Sequence, residues 1–86
     1  MEVVVYGSLR SATGSKTVAV DPEERTVAGV VEALCAAYPS AERHLRDDDG
    51  DLRPSVRVAV DGETTELDAD CPPDAEVQLF PAMRGG

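Results

Sequence analysis

Tryptophan is absent from this sequence of 86 residues, phenylalanine occurs once and tyrosine twice. No aromatic cluster can therefore build the interior, and the core has to come from valine, leucine and alanine. Lysine is almost missing as well: Lys16 is the only one, and the other cations are arginines. Eight basic residues face seventeen acidic ones, for a formal charge of -9. Such a surface repels phosphate backbones and anionic lipid, which sets aside direct nucleic-acid binding and membrane association. The only cysteines, Cys35 and Cys71, lack the close spacing of metal ligands and read as free thiols. No apolar run approaches the roughly 20 residues that span a bilayer. Met1 leads straight into Glu2-Val3-Val4-Val5-Tyr6, without the basic and apolar regions of a signal peptide, which predicts a cytoplasmic protein.

A chain of this length has room for one core, and hides only about 60 to 65% of the surface it exposes when unfolded. Val3 to Tyr6 is a β-rich run halted by Gly7 and the small polar stretch Ser11 to Ser15, and Lys16 to Val20 resumes strand character, predicting a hairpin. Thr26 is placed to cap a helix, although Gly29 stands where a capping box has Glu or Gln. Val27, Val30, Val31, Leu34, Cys35 and Tyr38 then follow the spacing of one helical face, and Pro39 ends it. Ser40 to Arg46 predicts another short helical turn, and Asp47-Asp48-Asp49-Gly50-Asp51 a surface loop. Ser55 to Val60 alternates with period two, Asp61-Gly62 is a hairpin-turn dipeptide leading into Glu63 to Leu67, and Ala75 to Phe80 alternates again with Val77 and Leu79 inward.

The order β, β, α, β, β, β is an α+β pattern: a mixed sheet of four to five strands with one main helix on one face, the β-grasp. The domain is expected over residues 1–80, with a flexible tail over 81–86.

The chemistry concentrates in that tail. Gly85 and Gly86 carry no Cβ, so they can lie extended in a channel too narrow for other residues. A terminal carboxylate with a pKa near 3.3 to 3.7 is ionised at neutral pH and needs activation before any acyl transfer. Two terminal glycines arise by chance at about half a per cent, and here they follow a last strand and a Pro81-led extension. Phe80 alternates outward and, with Val4 or Tyr6, is expected to form an apolar docking patch on the sheet face away from the helix. Cys35 lies on the helical stripe as core filler, and Cys71 has no neighbour in sequence that would lower its pKa. The single histidine, His44, has no companions at ligand spacing. The Asp47 to Asp51 loop lacks the distal Glu of an EF-hand, so no metal site is expected. There is no phosphate loop and no nucleophile, base and orienter set, so the chain is not expected to be a catalyst.

Thr26-Val27 opening a helix that ends in Tyr38-Pro39, a last strand closing in Leu79-Phe80-Pro81, and the terminal Gly85-Gly86 together resemble the ubiquitin-like MoaD/ThiS sulfur carriers, a group that includes the small archaeal modifier proteins. The resemblance spans the chain, and the acidic, lysine-poor composition suggests the haloarchaeal members. It implies that an E1-like enzyme adenylates Gly86, consuming ATP while the carrier itself holds no cofactor. The activated glycine then becomes a thiocarboxylate for molybdopterin synthesis or tRNA thiolation, or an isopeptide on a target lysine. Gly85 gives access, and Phe80, Pro81, Met83 and Arg84 contact the partner. Implied partners are the activating enzyme, target proteins, the molybdopterin synthase large subunit or a tRNA thiolation enzyme, met by a monomer. Lys16 is the candidate acceptor for conjugation to the chain itself. The alternative is a molybdopterin synthase small subunit that only donates sulfur within a stable complex. Ala82, Met83 and Arg84 depart from the carrier pattern of a second proline and a small apolar residue, and Arg84 before the glycines resembles ubiquitin, which shifts weight toward protein modification.

The charge of -9 predicts that the melting temperature rises from low to molar KCl, because a Debye length of about 3 Å at 1 M screens the self-repulsion. A flat melting temperature across a KCl series removes the argument for a halophilic surface.

Overall fold

The last strand of the sheet is not an edge but its centre. The computed structural model describes residues 1–72 and 74–81, and within them five strands run in the order β2-β1-β5-β3-β4. These are β1 (Glu2–Val5), β2 (Thr17–Ala19), β3 (Arg57–Val60), β4 (Glu63–Thr65) and β5 (Glu76–Phe80). β5 pairs parallel with β1 and antiparallel with β3, which makes the sheet mixed. Val3 and Val5 lie in register with Val77 and Leu79, and Val58 with Leu79, so the alternating residues of three strands meet on one face. Val3, Val5, Val77 and Leu79 are wholly buried there. This is the β-grasp that the element order predicts.

α2 (Val27–Ala37) covers that face and buries Val27, Val30, Val31, Leu34 and Cys35, the stripe its spacing foretells. Its first turn shows where its unpaired N–H groups go. Val27 N–H donates to the Ala69 carbonyl at 3.0 Å and Ala28 N–H to that of Leu67 at 2.9 Å, while Gly29 N–H donates to Thr26 Oγ1 at 3.1 Å. The segment after β4 therefore leaves the sheet early, at Thr65 instead of Leu67, because its carbonyls are taken up in capping α2. Gly29 breaks the capping-box pattern for a steric reason: a Cβ there would collide with the Glu24 carbonyl.

The connection between β1 and β2 differs from the expected tight hairpin. The strands do pair antiparallel, but α1 (Ser8–Thr13) stands between them and drops Leu9 fully into the core. Its end is set by Gly14, left-handed at φ 78°, whose N–H donates to the Arg10 carbonyl. α3 (Pro39–Leu45) follows α2 after the single residue Tyr38, and Pro39 both closes one helix and opens the next, where its missing N–H costs nothing. Asp61 (φ 52°) and Gly62 (φ 88°) form the foreseen β3–β4 turn with both positions at positive φ.

Among the described residues no helix is long and apolar enough to cross a membrane. Leu34, wholly buried under the sheet, gives the direct test of this packing: Leu34→Ala is expected to lower the unfolding free energy by about 2 to 5 kcal/mol in urea titration. A loss under about 0.5 kcal/mol would show that the stripe does not carry the core.

Candidate functional site

β5 ends between two neighbours, so the chain leaves the sheet from its middle, with the end of β1 on one side and the start of β3 on the other. Tyr6 N–H donates to the Leu79 carbonyl at 3.2 Å, extending the ladder one step past β1. That step sets Tyr6 beside Phe80, and their rings stack with centroids 4.5 Å apart and planes 12° from parallel. Such a pair is worth about 0.5 to 1.5 kcal/mol beyond its burial. Arg57 is in register with Phe80 on the other side. The exit is thus framed, on the face away from α2, by two half-buried rings and an exposed arginine.

Phe80 and Tyr6 therefore do come together on the outer face, as the alternation implies. Val4 does not join them as exposed surface, because it keeps only 8% of its accessibility in mid-sheet. Pro81, expected to open the tail, is instead buried, its ring against Gly7. Pro81 thus rests on the β1–α1 turn. Met83, Arg84, Gly85 and Gly86 lie outside the described residues. Lys16 is exposed where α1 gives way to β2, and its carbonyl accepts from Val5 N–H at 2.9 Å, which holds it at the exit end of the sheet. In the sequence Gly7 stands out only as the stop after β1, and Arg57 not at all. Gly7 adopts φ 59° and ψ -134°, conformations that only glycine tolerates well, and Arg57 earns its place only through strand register.

Strand direction also sorts the charges. Lys16, Arg57 and, in α1, Arg10 lie toward the exit end, where Glu66 follows β4, while Glu2, Asp61, Glu63 and Glu76 occupy the opposite end of β1, β3, β4 and β5. There, Asp61 Oδ1 accepts from Glu76 N–H at 3.0 Å.

Neither thiol offers a reactive sulfur. Cys71 has no accessible surface and its Sγ lies 3.9 Å from Met1 Sδ. Burial pushes the Cys71 thiol up from its ordinary pKa, with the Asp61 carboxylate adding to the effect, and burial likewise raises that of Cys35. A raised pKa keeps both protonated near neutral pH, in line with their reading as unreactive thiols. In the acidic loop, Asp47 Oδ1 accepts from the N–H groups of Asp49 and Asp51 at 3.0 and 3.1 Å, so this carboxylate shapes the turn. Among the described residues no three His, Cys, Asp or Glu side chains are grouped to hold a metal.

A model of the ThiS family matches residues 3–86. Small archaeal modifier protein 1 of Haloferax volcanii is 34% identical over 87 residues that take in 100% of both chains. Its crystal structure superposes with a TM-score of 0.92, covering 100% of this chain and 98% of that one. CysO of Mycobacterium tuberculosis, known from a crystal structure as an antigen, is 26% identical with a TM-score of 0.78, over 95% of this chain and 98% of its own.

Gly7 provides the test of the exit geometry. A methyl at Gly7 would sit 3.0 Å from Pro81 Cγ, whereas at Gly14, also at positive φ, it would meet nothing within 4 Å. Gly7→Ala is therefore expected to cost about 1 to 3 kcal/mol and to move the Phe80 and Tyr6 ring resonances, while Gly14→Ala costs about 1 to 2 kcal/mol and leaves the rings in place. Unmoved ring resonances in Gly7→Ala would mean that Pro81 does not rest on this turn.

Proposed function

The chain belongs to the ThiS family, and from that membership we propose that it is a ubiquitin-like carrier and protein modifier whose working group is the carboxylate of Gly86. The observation that carries this reading is the exit itself. β5 is locked at the centre of the sheet and Pro81 against Gly7, so residues 82–86 start from a fixed point, and at about 3.5 Å per residue they reach at most about 17 Å. That is enough to enter another protein's active site while the folded body stays outside.

In the proposed reaction a carboxylate oxygen of Gly86 attacks the α-phosphorus of ATP on a separate E1-like enzyme, and pyrophosphate leaves. The acyl-adenylate is then opened in one of two ways, and AMP leaves in both. A sulfide donor gives a thiocarboxylate, and a target lysine amine gives an isopeptide. The family match supports the first outcome, and the 34% identity to a protein named as a modifier supports the second. Gly85 admits the tail to the narrow adenylation channel. The Tyr6–Phe80 stack, with Arg57 beside it, gives the activating enzyme an apolar contact rimmed by positive charge, and Arg84 adds a cation near the reacting end. Because this chemistry draws on ATP, it belongs in the cytoplasm. Lys16 is the one lysine on which this chain can itself be conjugated.

Removing Gly85 and Gly86 is expected to leave the melting temperature nearly unchanged and to abolish ATP–pyrophosphate exchange with the cognate activating enzyme. Gly85→Ala should fold normally and lose most of that exchange. Intact mass after expression in the native host separates the two outcomes, through exchange of one oxygen for sulfur or through ladders of conjugates on denaturing gels. Normal thiocarboxylate or conjugate formation by the truncated chain would overturn the assignment to Gly86.

A further inference from the structure

β2 is an edge strand, and its free side is not blank. Val5 N–H donates to the Lys16 carbonyl and Val20 N–H to that of Met1. With Val3 opposite Val18 in the same register, the groups of Lys16, Val18 and Val20 therefore point toward β1. Those of the alternate residues, Thr17 and Ala19, point away from the sheet. No described strand pairs with that side. Natural edges of this kind are often blunted by lysine, proline or a covering element. Here Lys16 precedes the short strand and Pro22 follows it, yet from Ala19 onward the flank opens into a groove of about 560 Å³ between the end of β2, the segment that follows it, and α2.

The lining of this groove defines what fits. Its floor on the α2 side is Ala33, Ala36 and Ala37, small enough to let an extended chain lie close. Its rim holds the carboxylates of Asp21, Glu23, Glu24 and Glu32 and no cation. Among the described residues the only ion pair is Arg46 with Glu42, so none of these rim carboxylates pairs with a described cation. An acidic or phosphorylated segment is repelled here, and a second copy of a chain with charge -9 is disfavoured for the same reason. A lysine or arginine fits both parts, with its aliphatic stem over the alanines and its charged head at the rim.

We propose that the outer edge of β2 takes an extended, lysine- or arginine-bearing segment of a partner protein as a sixth strand, seated in the groove against α2. Thr17 and Ala19 supply the backbone hydrogen bonds, which give affinity without regard to sequence. The alanine floor and acidic rim select basic residues at alternate positions. The site lies apart from Phe80 and Pro81 and needs no acyl chemistry, so its occupancy does not depend on the function assigned to Gly86.

The test is a titration of the ¹⁵N-labelled full chain with a synthetic peptide alternating valine and lysine, followed by amide shifts at low ionic strength. Shifts are expected to concentrate on Thr17 to Val20 and on the α2 residues facing them. A peptide with glutamate in place of lysine should show no saturable shifts. Ala19→Pro removes an outward N–H without touching the β1 ladder, and is expected to weaken binding at least about ten-fold. Glu32→Lys, on the exposed face of α2, reverses one rim charge without touching the strand, and should weaken it about five-fold. The chain lacking Gly85 and Gly86 should bind as the full chain does. Shifts scattered over the acidic surface, or unchanged affinity in Ala19→Pro, would reduce the effect to non-specific charge attraction and overturn the proposal. If Ala19→Pro does not fold, unchanged affinity in Glu32→Lys overturns it equally.

Discussion

Everything in this molecule hangs on the parallel pairing of β1 with β5. Only when Val77 and Leu79 are set in register with Val3 and Val5 does one face become continuous enough for α2 to cover. The same register fixes the Tyr6–Phe80 stack, places Arg57 beside it through β3, and brings Pro81 down onto Gly7. The exit point of the chain is thus a by-product of core packing. Burying a side chain such as Leu79 or Val77 is worth about 1.5 to 3 kcal/mol, and that energy holds the end of β5, and Pro81 with it, at a defined place.

The charge distribution complements this arrangement. An overall charge of -9 disfavours polyanions, yet Lys16, Arg10 and Arg57 lie toward the end from which the chain leaves. On the proposed functions, an acidic entrance on the activating enzyme would meet the cationic end, and a basic segment the carboxylates beside β2.

Much of this was legible in the sequence. α2 was readable because six apolar residues repeat at helical spacing between a capping Thr26 and Pro39, and β5 because Val77 and Leu79 alternate with polar neighbours. The Asp61-Gly62 turn announced itself by composition. α1 was hidden because it buries a single apolar residue, Leu9, and so shows no period; its one signal was the pair Gly7 and Gly14 bracketing it. The β2 groove and the burial of Pro81 are tertiary facts: they depend on which segments lie beside one another, and Ala33, Ala36 and Ala37 look like ordinary helix formers until β2 is placed next to them. In the tail the reading rests on the two glycines, on their place after the last strand and Pro81, and on the family, and these glycines lie outside the described residues.

The central position of β5 also governs how the chain reaches its native state. Its partner β1 lies more than seventy residues earlier, so the pairing that completes the sheet closes nearly the whole chain into one loop and is entropically among the last to form. Until it does, β1 and β3 each expose an inner edge made of valines, the kind of surface that recruits other chains. A polypeptide broken off before Glu76 is therefore a substrate for chaperones and proteases and not a shorter version of the same protein.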